Sequence, residues 1–370
     1  MDATQTLQTA VREALATRTP LRITGGGSKS FYGAEVTAAT SLDVRSHTGL
    51  IDYAPSELVV TARCGTPLAE LEAALATQGQ MLPFEPPHFS SPLRHAGERV
   101  AHATVGGMVA AGLSGPRRPW GGAVRDAVLG VTVLNGQGEI LKFGGRVMKN
   151  VAGYDIARLF AGSLGSLGVI LDVSLKVLPR PAKEITLVQN ASHAGALTRL
   201  TAWQRQSLPL SASLHDGSHL WLRLCGSHAG VNAARDALGG DVLDADMSAG
   251  SDTGDQSIWT QVREQTHAFF HTGQPLWRLS VPPATPPFDL PGRCLVDWGG
   301  ALRWLADTDA DPAHLRGVVA AAGGHATLLR GELRGVGRFH PLPPALHVLH
   351  QRIKAVFDPQ GLFNPGVMYL

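Results

Sequence analysis

Three short stretches have the residue types and spacing of anion-binding loops. They are Gly25, Gly26, Gly27 and Ser28 in "TGGGSK", Thr104, Gly106 and Gly107 in "TVGG", and Gly162, Ser163, Gly165 and Gly168 in "GSLGSLG", which runs directly into Val169 and Ile170. Successive backbone N–H groups in tight turns form a nest for an anion, and glycine lets a ligand come close to that backbone. The chemistry this supports is the holding of phosphate. The commonest nucleotide motifs do not describe these loops. "GGGSKS" lacks the Gly-Lys pair and the spacing of a P-loop. "GSLGSLG" has glycine at every third position and precedes a strand, where the G-x-G-x-x-G loop precedes a helix. Turn formation and close packing are the alternative use of the same glycines. Three such loops, each beside a strand in the first half of the chain, favour a dinucleotide-type ligand.

Other reactive residue types are scattered. Cys64, Cys225 and Cys294 are far apart and no pair has C-x-x-C spacing, which argues against a zinc or iron–sulfur site built from this chain alone. Among fifteen histidines, His347 and His350 could share a helix face, and His88, His95 and His102 sit in a proline-rich stretch. Neither set has the spacing of a metal site, and we expect no metal.

The elements that must position the loops follow from length and pattern. The chain has 370 residues, 44% apolar and 17% charged, enough for two domains with a large core. A formal charge of +2 gives no footprint for nucleic acid, and no apolar run is long enough for a membrane span. "MDATQTLQTAVREALATRTP" reads as an amphipathic helix and not a signal peptide, which points to the cytoplasm. Leu58 to Arg63 suits a strand, followed by a helix with Thr66 as N-cap, Pro67 as first residue and Gly79 as stop. Val128 to Leu134, the turn "NGQG" and Glu139 to Phe143 make a hairpin. "VAGYDIARLF" reads as a short helix with Ile156, Leu159 and Phe160 on one side, and Leu171 to Val177 has the period of a half-buried strand. From about Glu184 strands and helices alternate, which suggests an α+β domain of two similar β-rich halves. "DVLDADMSAGSDTGDQS" reads as an exposed loop within it, and the chain ends in a helix and an extended tail.

The segment "TVGGMVAAGLSGPRRPWGGAVRDAVLGVTVLNGQGEIL" with "GSLGSLGVILDVSLKVLPRP" resembles the FAD-binding domain of the vanillyl-alcohol oxidase / p-cresol methylhydroxylase (PCMH) family. That family's usual forms are T-[IV]-G-G, D-x-[VL]-L-G, a D/N-G turn and G-S-E-G-T-L-G-[IV]-I. Here Leu164 stands for the usual Glu and Ser166 for Thr. "TGGGSK" resembles the family's first pyrophosphate loop and "DPQGLFNPG" its C-terminal signature, so the likeness covers roughly residues 20–180 and the end of the chain. More narrowly, "GGRVMKNVAGYDIARLFAGSLGSLG" is similar to the FAD-binding subunits of bacterial glycolate oxidases (glycolate dehydrogenases), the smaller of two homologous flavin-type subunits that work with an iron–sulfur subunit.

The resemblance implies an α+β, two-domain flavoprotein: a PCMH-type FAD-binding domain over 1–182, a smaller α+β cap domain over 183–340, and a segment 341–370 returning to the first domain. It implies that Gly25–Ser28 and Thr104–Gly107 cradle the pyrophosphate, that Gly162–Ile170 lays backbone against the FAD, and that Asn364 and Gly366 lie near the flavin edge. Lys149, Asn150, Tyr154 and Asp155 would brace the third loop or simply form a turn before a helix. Relatives with covalent FAD have a histidine after the first-loop serine; Lys29 follows Ser28 here, which implies non-covalent FAD. The activity implied is oxidation of a small 2-hydroxy acid, glycolate, to glyoxylate, with electrons passed to a partner subunit. The partners implied are a larger homologous flavin subunit and an iron–sulfur subunit, with peripheral attachment to the inner membrane through them. A hydroxy acid calls for a cation at its carboxylate and a base at its hydroxyl. Arg117, Arg118, Arg334, Arg338 and His340 are chemically suitable, and the sequence assigns none of them. The H-G-D-G-N-x-H motif of the larger subunits is absent. That keeps two alternatives open: an assembly subunit without substrate chemistry of its own, and a free-standing flavin-dependent alcohol or sugar oxidoreductase.

Overall fold

The computed structural model describes residues 1–38, 40–90, 102–146, 154–243, 257–273 and 275–369. They form two compact units, one made of Met1–Ser114, Gly122–Arg180 and Pro341–Leu370, the other of Gly115–Gly121 and Pro181–His340. The helices and sheets are mixed in both, as the α+β reading expects.

In the first unit the amphipathic N-terminal segment forms a helix over Thr4–Thr17 that buries Leu7, Val11 and Ala14, one face at helical spacing. The core sheet is antiparallel, in the order Leu50–Ala54, Val59–Arg63, Val169–Lys176, Val128–Leu134, Ile140–Gly144. Val169–Lys176 is the central strand and buries both faces, with only Asp172 and Lys176 partly exposed. Alternation suggests a half-buried strand here, but the fold covers its second face. The expected hairpin is present, and Asn135 shapes its turn by accepting the amides of Gln137 and Glu139 on Oδ1.

Two local expectations are corrected. The helix Leu68–Ala76 has Pro67, not Thr66, at its N-cap; the Thr66 hydroxyl accepts the Gly49 N–H instead. The turn Ile156–Phe160 is a 3₁₀ helix, so Ala157 and Phe160, three apart, are buried and Leu159 is exposed.

A second, smaller layer leads into the first glycine loop. Leu21–Thr24 pairs in parallel with Thr40–Asp43, and the C-terminal tail adds to its other side through a parallel bridge between Leu21 and Phe363. The tail arrives from the helix Pro344–Phe357, whose end is anchored where Phe357 meets Phe143 and Phe160 edge-on, at centroid distances of 5.9 and 5.3 Å.

The second unit is one eight-stranded sheet and its covering helices. Two four-stranded halves, containing Lys183–Asn190 and Leu276–Ser280 respectively, join where Leu214 pairs with Asp297 and His215 with Val296. The halves expected from the sequence are thus continuous. Asp241–Leu243, read as loop, is an edge strand paired with Lys183–Asn190, while residues 244–256 of that stretch lie outside the described residues. Gly115–Gly121 belongs with this unit: the Trp298 Nε1–H donates to the Gly115 carbonyl at 3.0 Å, and Arg117 pairs with Glu184 at 2.8 Å.

Candidate functional site: the glycine loops of the first unit

The first loop leaves a strand that is held on both sides. Leu21 N–H donates to the Leu362 carbonyl, Ile23 N–H to Asn364 Oδ1, and Asn364 N–H to the Leu21 carbonyl. Beyond Thr24 the chain must pass against residues 102–104. A Cβ on Gly25 would lie 2.6 Å from Thr104 Oγ1, and one on Gly26 would lie 1.5 Å from the His102 carbonyl oxygen. These two glycines are required by the neighbouring chain. Gly27 differs: its φ is +73° and a Cβ there would meet no atom of the described residues. Among the described residues no protein acceptor meets the N–H groups of Gly25, Gly26 or Ser28. Lys29 Nζ donates to Ser28 Oγ at 3.2 Å, which adds a positive charge to this loop. Phe31 and Phe89, stacked edge-on at 5.4 Å, continue the wall, with Lys29 Nζ 5.6 Å from the Phe89 ring.

The second loop has a different hydrogen-bond balance. Thr104 caps the helix Val105–Ala111 by accepting the Gly107 N–H on Oγ1. Val105 N–H goes to the Thr66 carbonyl, Gly106 N–H to Cys64 and Met108 N–H to Thr104. Four consecutive amides are therefore satisfied by protein. Gly106 is small because its Cβ would lie 2.6 Å from Cys64 Cβ. This loop is a strut against which the first loop is laid.

The third loop packs more densely. Gly162 and Leu164 donate to the carbonyls of Val109 and Ala110, and the hydroxyls of Ser163 and Ser166 turn inward to Phe160 and Ser163 carbonyls. A Cβ on Gly165 would meet Asn364 Nδ2 at 2.7 Å, and one on Gly168 the Leu134 carbonyl at 2.8 Å. At Gly162, φ +83°, a Cβ would meet no atom of the described residues. Ile170 is buried in the central strand opposite Val133. Asn364 uses both ends of its amide on protein, Oδ1 accepting from Ile23 N–H and Nδ2 donating to the Leu164 carbonyl.

Other sequence candidates fall outside this group. Lys149 and Asn150 lie outside the described residues. Tyr154 is 94% exposed and Asp155 pairs with Arg158 at the surface, so they do not provide the bracing expected of them. The bracing comes from residues the sequence reading passed over, Lys354 and Asp358. Lys354 Nζ donates to the Ser166 and Phe363 carbonyls and to Asp358, whose buried carboxylate also accepts the Leu362 and Phe363 amides. The signal was present in "DPQGLFNPG": an Asp just past a helix can cap the turn that follows it. His88 pairs with Glu72, His95 is outside the described residues, and the His350 ring meets Tyr369. In the second unit Arg117 pairs with Glu184 and Arg338 donates to the Gly331 carbonyl.

The FAD binding domain family model matches residues 2–144. The solved structure of p-cresol methylhydroxylase with substrate bound superposes with a TM-score of 0.68 at 14% identity, covering 99% of this chain and 87% of that one, which establishes the fold. The class is that of FAD-dependent flavoproteins with the PCMH-type fold. Glycolate oxidase subunit GlcE of Escherichia coli (strain K12) is 48% identical over 368 residues, covering 100% of this chain and 98% of its own. Glycolate oxidase subunit GlcD of Bacillus subtilis (strain 168) is 32% identical over 139 residues, 38% of this chain and 27% of its own. The chain belongs to the glycolate oxidase subunit GlcE family, and its cofactor is FAD.

Proposed function

We propose that this chain is the FAD-binding subunit of a complex that oxidises glycolate to glyoxylate, with the diphosphate of FAD held by the first glycine loop. The observation that carries the residue assignment is the contrast between loops. The amides of Gly25, Gly26 and Ser28 have no protein acceptor among the described residues, whereas those of Val105 to Met108 are all spent. Backbone amides left open at a glycine turn beside a lysine suit an anion, so the residues present fit the cofactor. Bound there, FAD supplies hydride-accepting redox chemistry. The chain's part is to hold and orient it: Gly25, Gly26 and Ser28 through their amides, Lys29 through its charge, and Gly162 by leaving room. Thr104, Gly106, Gly107, Ser163, Gly165, Gly168, Ile170 and Asn364 act by fixing the loops' positions. Lys29 in place of histidine supports non-covalent attachment.

The name of the E. coli relative supports a role within a multi-subunit enzyme, and the likeness to GlcD supports a second, larger flavin subunit as partner. We assign the electrons an exit to an iron–sulfur partner. Among the described residues no helix is long and apolar enough to cross a membrane, so attachment to the inner membrane would run through those partners.

The test is the visible spectrum of the purified chain, followed by glycolate without oxygen, alone and with partners. A flavin band near ~450 nm that glycolate bleaches, in either setting, is the expected result. Absence of flavin even after FAD is supplied with partners present would overturn the reading.

A further inference from the structure

The helix Pro344–Phe357 of the first unit lays its polar side on the fold and leaves its apolar side exposed. Phe357 attaches it to Phe143 and Phe160, and Lys354 Nζ reaches the Ser166 and Phe363 carbonyls and Asp358. The His350 ring lies on the same side, against Tyr369. These three residues are three or four positions apart, one face of a helix. Ala345, Val348, Leu349, Arg352, Ala355 and Val356 recur at the same spacing on the opposite face. All six are exposed, Val348 at 44%, Leu349 at 49% and Val356 at 70%. An amphipathic helix ordinarily turns its apolar stripe to the core. In this one only Phe357 is buried, and the stripe faces outward.

Arg352 stands in the middle of that stripe. At 3.6 residues per turn, Val348 and Leu349 lie one turn before it and Ala355 and Val356 one turn after it. Among the described residues it has no hydrogen-bond or ion-pair partner. The helix sequence, PALHVLHQRIKAVF, contains no acid. Asp358, just past its end, is buried and bound to Lys354 and two amides.

We propose that this face docks another subunit of the complex, one that presents an apolar surface with an aspartate or glutamate at its centre. This rests on the reading of the chain as one subunit of a glycolate-oxidising enzyme. Charge decides between the occupants. A second copy docked by the same face would bring two Arg352 side chains together, opposite one another if the helices run parallel and within about one turn if they run antiparallel. Neither helix has an acid to place between them, so both charges would be buried unpaired. A lipid surface meets the same obstacle, because burying Val348, Leu349 and Val356 in acyl chains would carry the central guanidinium in with them. A partner carboxylate removes it. The planar guanidinium can take a carboxylate bidentately while the aliphatic side chains around it exclude water. A helix of 14 residues is about 21 Å long, and a stable interface takes about 800 Å² from each partner. The face is therefore the centre of a contact that continues onto neighbouring surface.

The experiment co-expresses the full chain with the larger flavin subunit and the iron–sulfur subunit, as wild type, Arg352→Glu and Leu349→Asp. Both positions are exposed, so FAD content and thermal midpoint should stay unchanged. Each variant should raise the concentration at which the complex dissociates, read by mass photometry, at least about tenfold. A photo-crosslinking phenylalanine analogue in place of Val356 should join the chain to another subunit at a segment containing an acidic residue. Exchanging that residue for lysine should restore assembly with Arg352→Glu. A complex that assembles at wild-type affinity with either folded variant, or a crosslink that reaches only a second copy or lipid, overturns the docking face. If that complex oxidises glycolate, the proposed function still stands. A complex that assembles through this face and does not oxidise glycolate overturns the proposed function and leaves the face standing. A wild-type chain that recruits neither subunit overturns both. Two variants and a crosslink are used so that misfolding of one variant does not end the test.

Discussion

Asn364 holds Leu164: its Nδ2 donates to the Leu164 carbonyl at 2.7 Å while its Oδ1 accepts from Ile23, 341 positions earlier in the chain. One side chain from the C-terminal tail thus fixes the spacing between the strand that feeds the first glycine loop and the turn of the third. Its own backbone sits at φ +43°, a conformation asparagine tolerates better than most residues. Asn364→Ala should remove both bonds and add backbone strain, lowering stability by about 2–4 kcal/mol and weakening FAD. Asn364→Gly relieves the strain but not the lost bonds, and should recover only about 1 kcal/mol. Chemical denaturation with and without FAD measures both. Equal stability of Ala and Asn forms would show that the clamp is not needed.

Gly26 and Gly27 are neighbours with opposite constraints. Gly26→Ala puts a Cβ 1.5 Å from a backbone oxygen and should prevent the loop from closing, with loss of folded, FAD-loaded protein. Gly27→Ala meets no atom of the described residues and should cost chiefly the strain of its positive φ, about 1–2 kcal/mol. If the space beside it takes the diphosphate, Gly27→Ala will raise the Kd for FAD at least about tenfold, 1.4 kcal/mol, in a chain that still folds. Normal FAD affinity in Gly27→Ala would refute the first-loop assignment.

Much of the first unit was legible because its signals are local. The Thr4–Thr17 face, the Asn135 turn and the alternation around Leu171 to Val177 all depend on neighbours a few positions away. The three loops were legible for the same reason. Their different jobs were not. Gly106 and Gly25 look alike in sequence, but what each meets, Cys64 or Thr104, comes from another segment. Asn364 was expected at the flavin edge; its partners Ile23 and Leu164 could be named only once the tail was placed beside the first strand. Thr66 had the chemistry of an N-cap and lost that role to competition from Gly49. Least legible are the contacts of the Arg118 and Arg278 guanidiniums with the Trp298 ring, since the three residues are up to 180 positions apart and Trp298 has a φ of +55°, a backbone conformation no propensity suggests.

Lys354 and Asp358 form a second test of the brace. Their contact is 2.6 Å, with the Asp358 side chain fully buried and also bound to two amides. Asp358→Ala takes the counter-charge from the lysine, which keeps its two carbonyl acceptors, and the acceptor from two N–H groups, and should cost about 3–5 kcal/mol, while Lys354→Met leaves the carboxylate its amides and should cost less. A double-mutant cycle in urea should return a coupling of about 1–3 kcal/mol. A coupling near zero would mean that the pair merely coexists.

His193 makes the second unit sensitive to acid. It is the first residue of the helix His193–Trp203, its ring lies 5.6 Å from that of His215, and its pKa is pushed down to about 4, first by burial, then by the charges of His215 and Arg303. A helix N-terminus also disfavours a cation there. The sign follows from the protons bound. The unfolded chain protonates this histidine below about 6.5, the folded chain only below about 4, so between those values the unfolded state holds the extra proton. The contribution is complete above pH 6.5 and falls away as pH drops toward 4, with a limiting slope of about 1.4 kcal/mol per pH unit. His267, His325 and His340 are lowered too and act in the same direction, so the wild-type slope alone does not isolate His193. The difference between wild type and His193→Gln does. Urea midpoints of the two at pH 7.5 and 5 should diverge, the variant losing about 1–2 kcal/mol less on acidification. Parallel losses would show that His193 titrates normally in the folded protein.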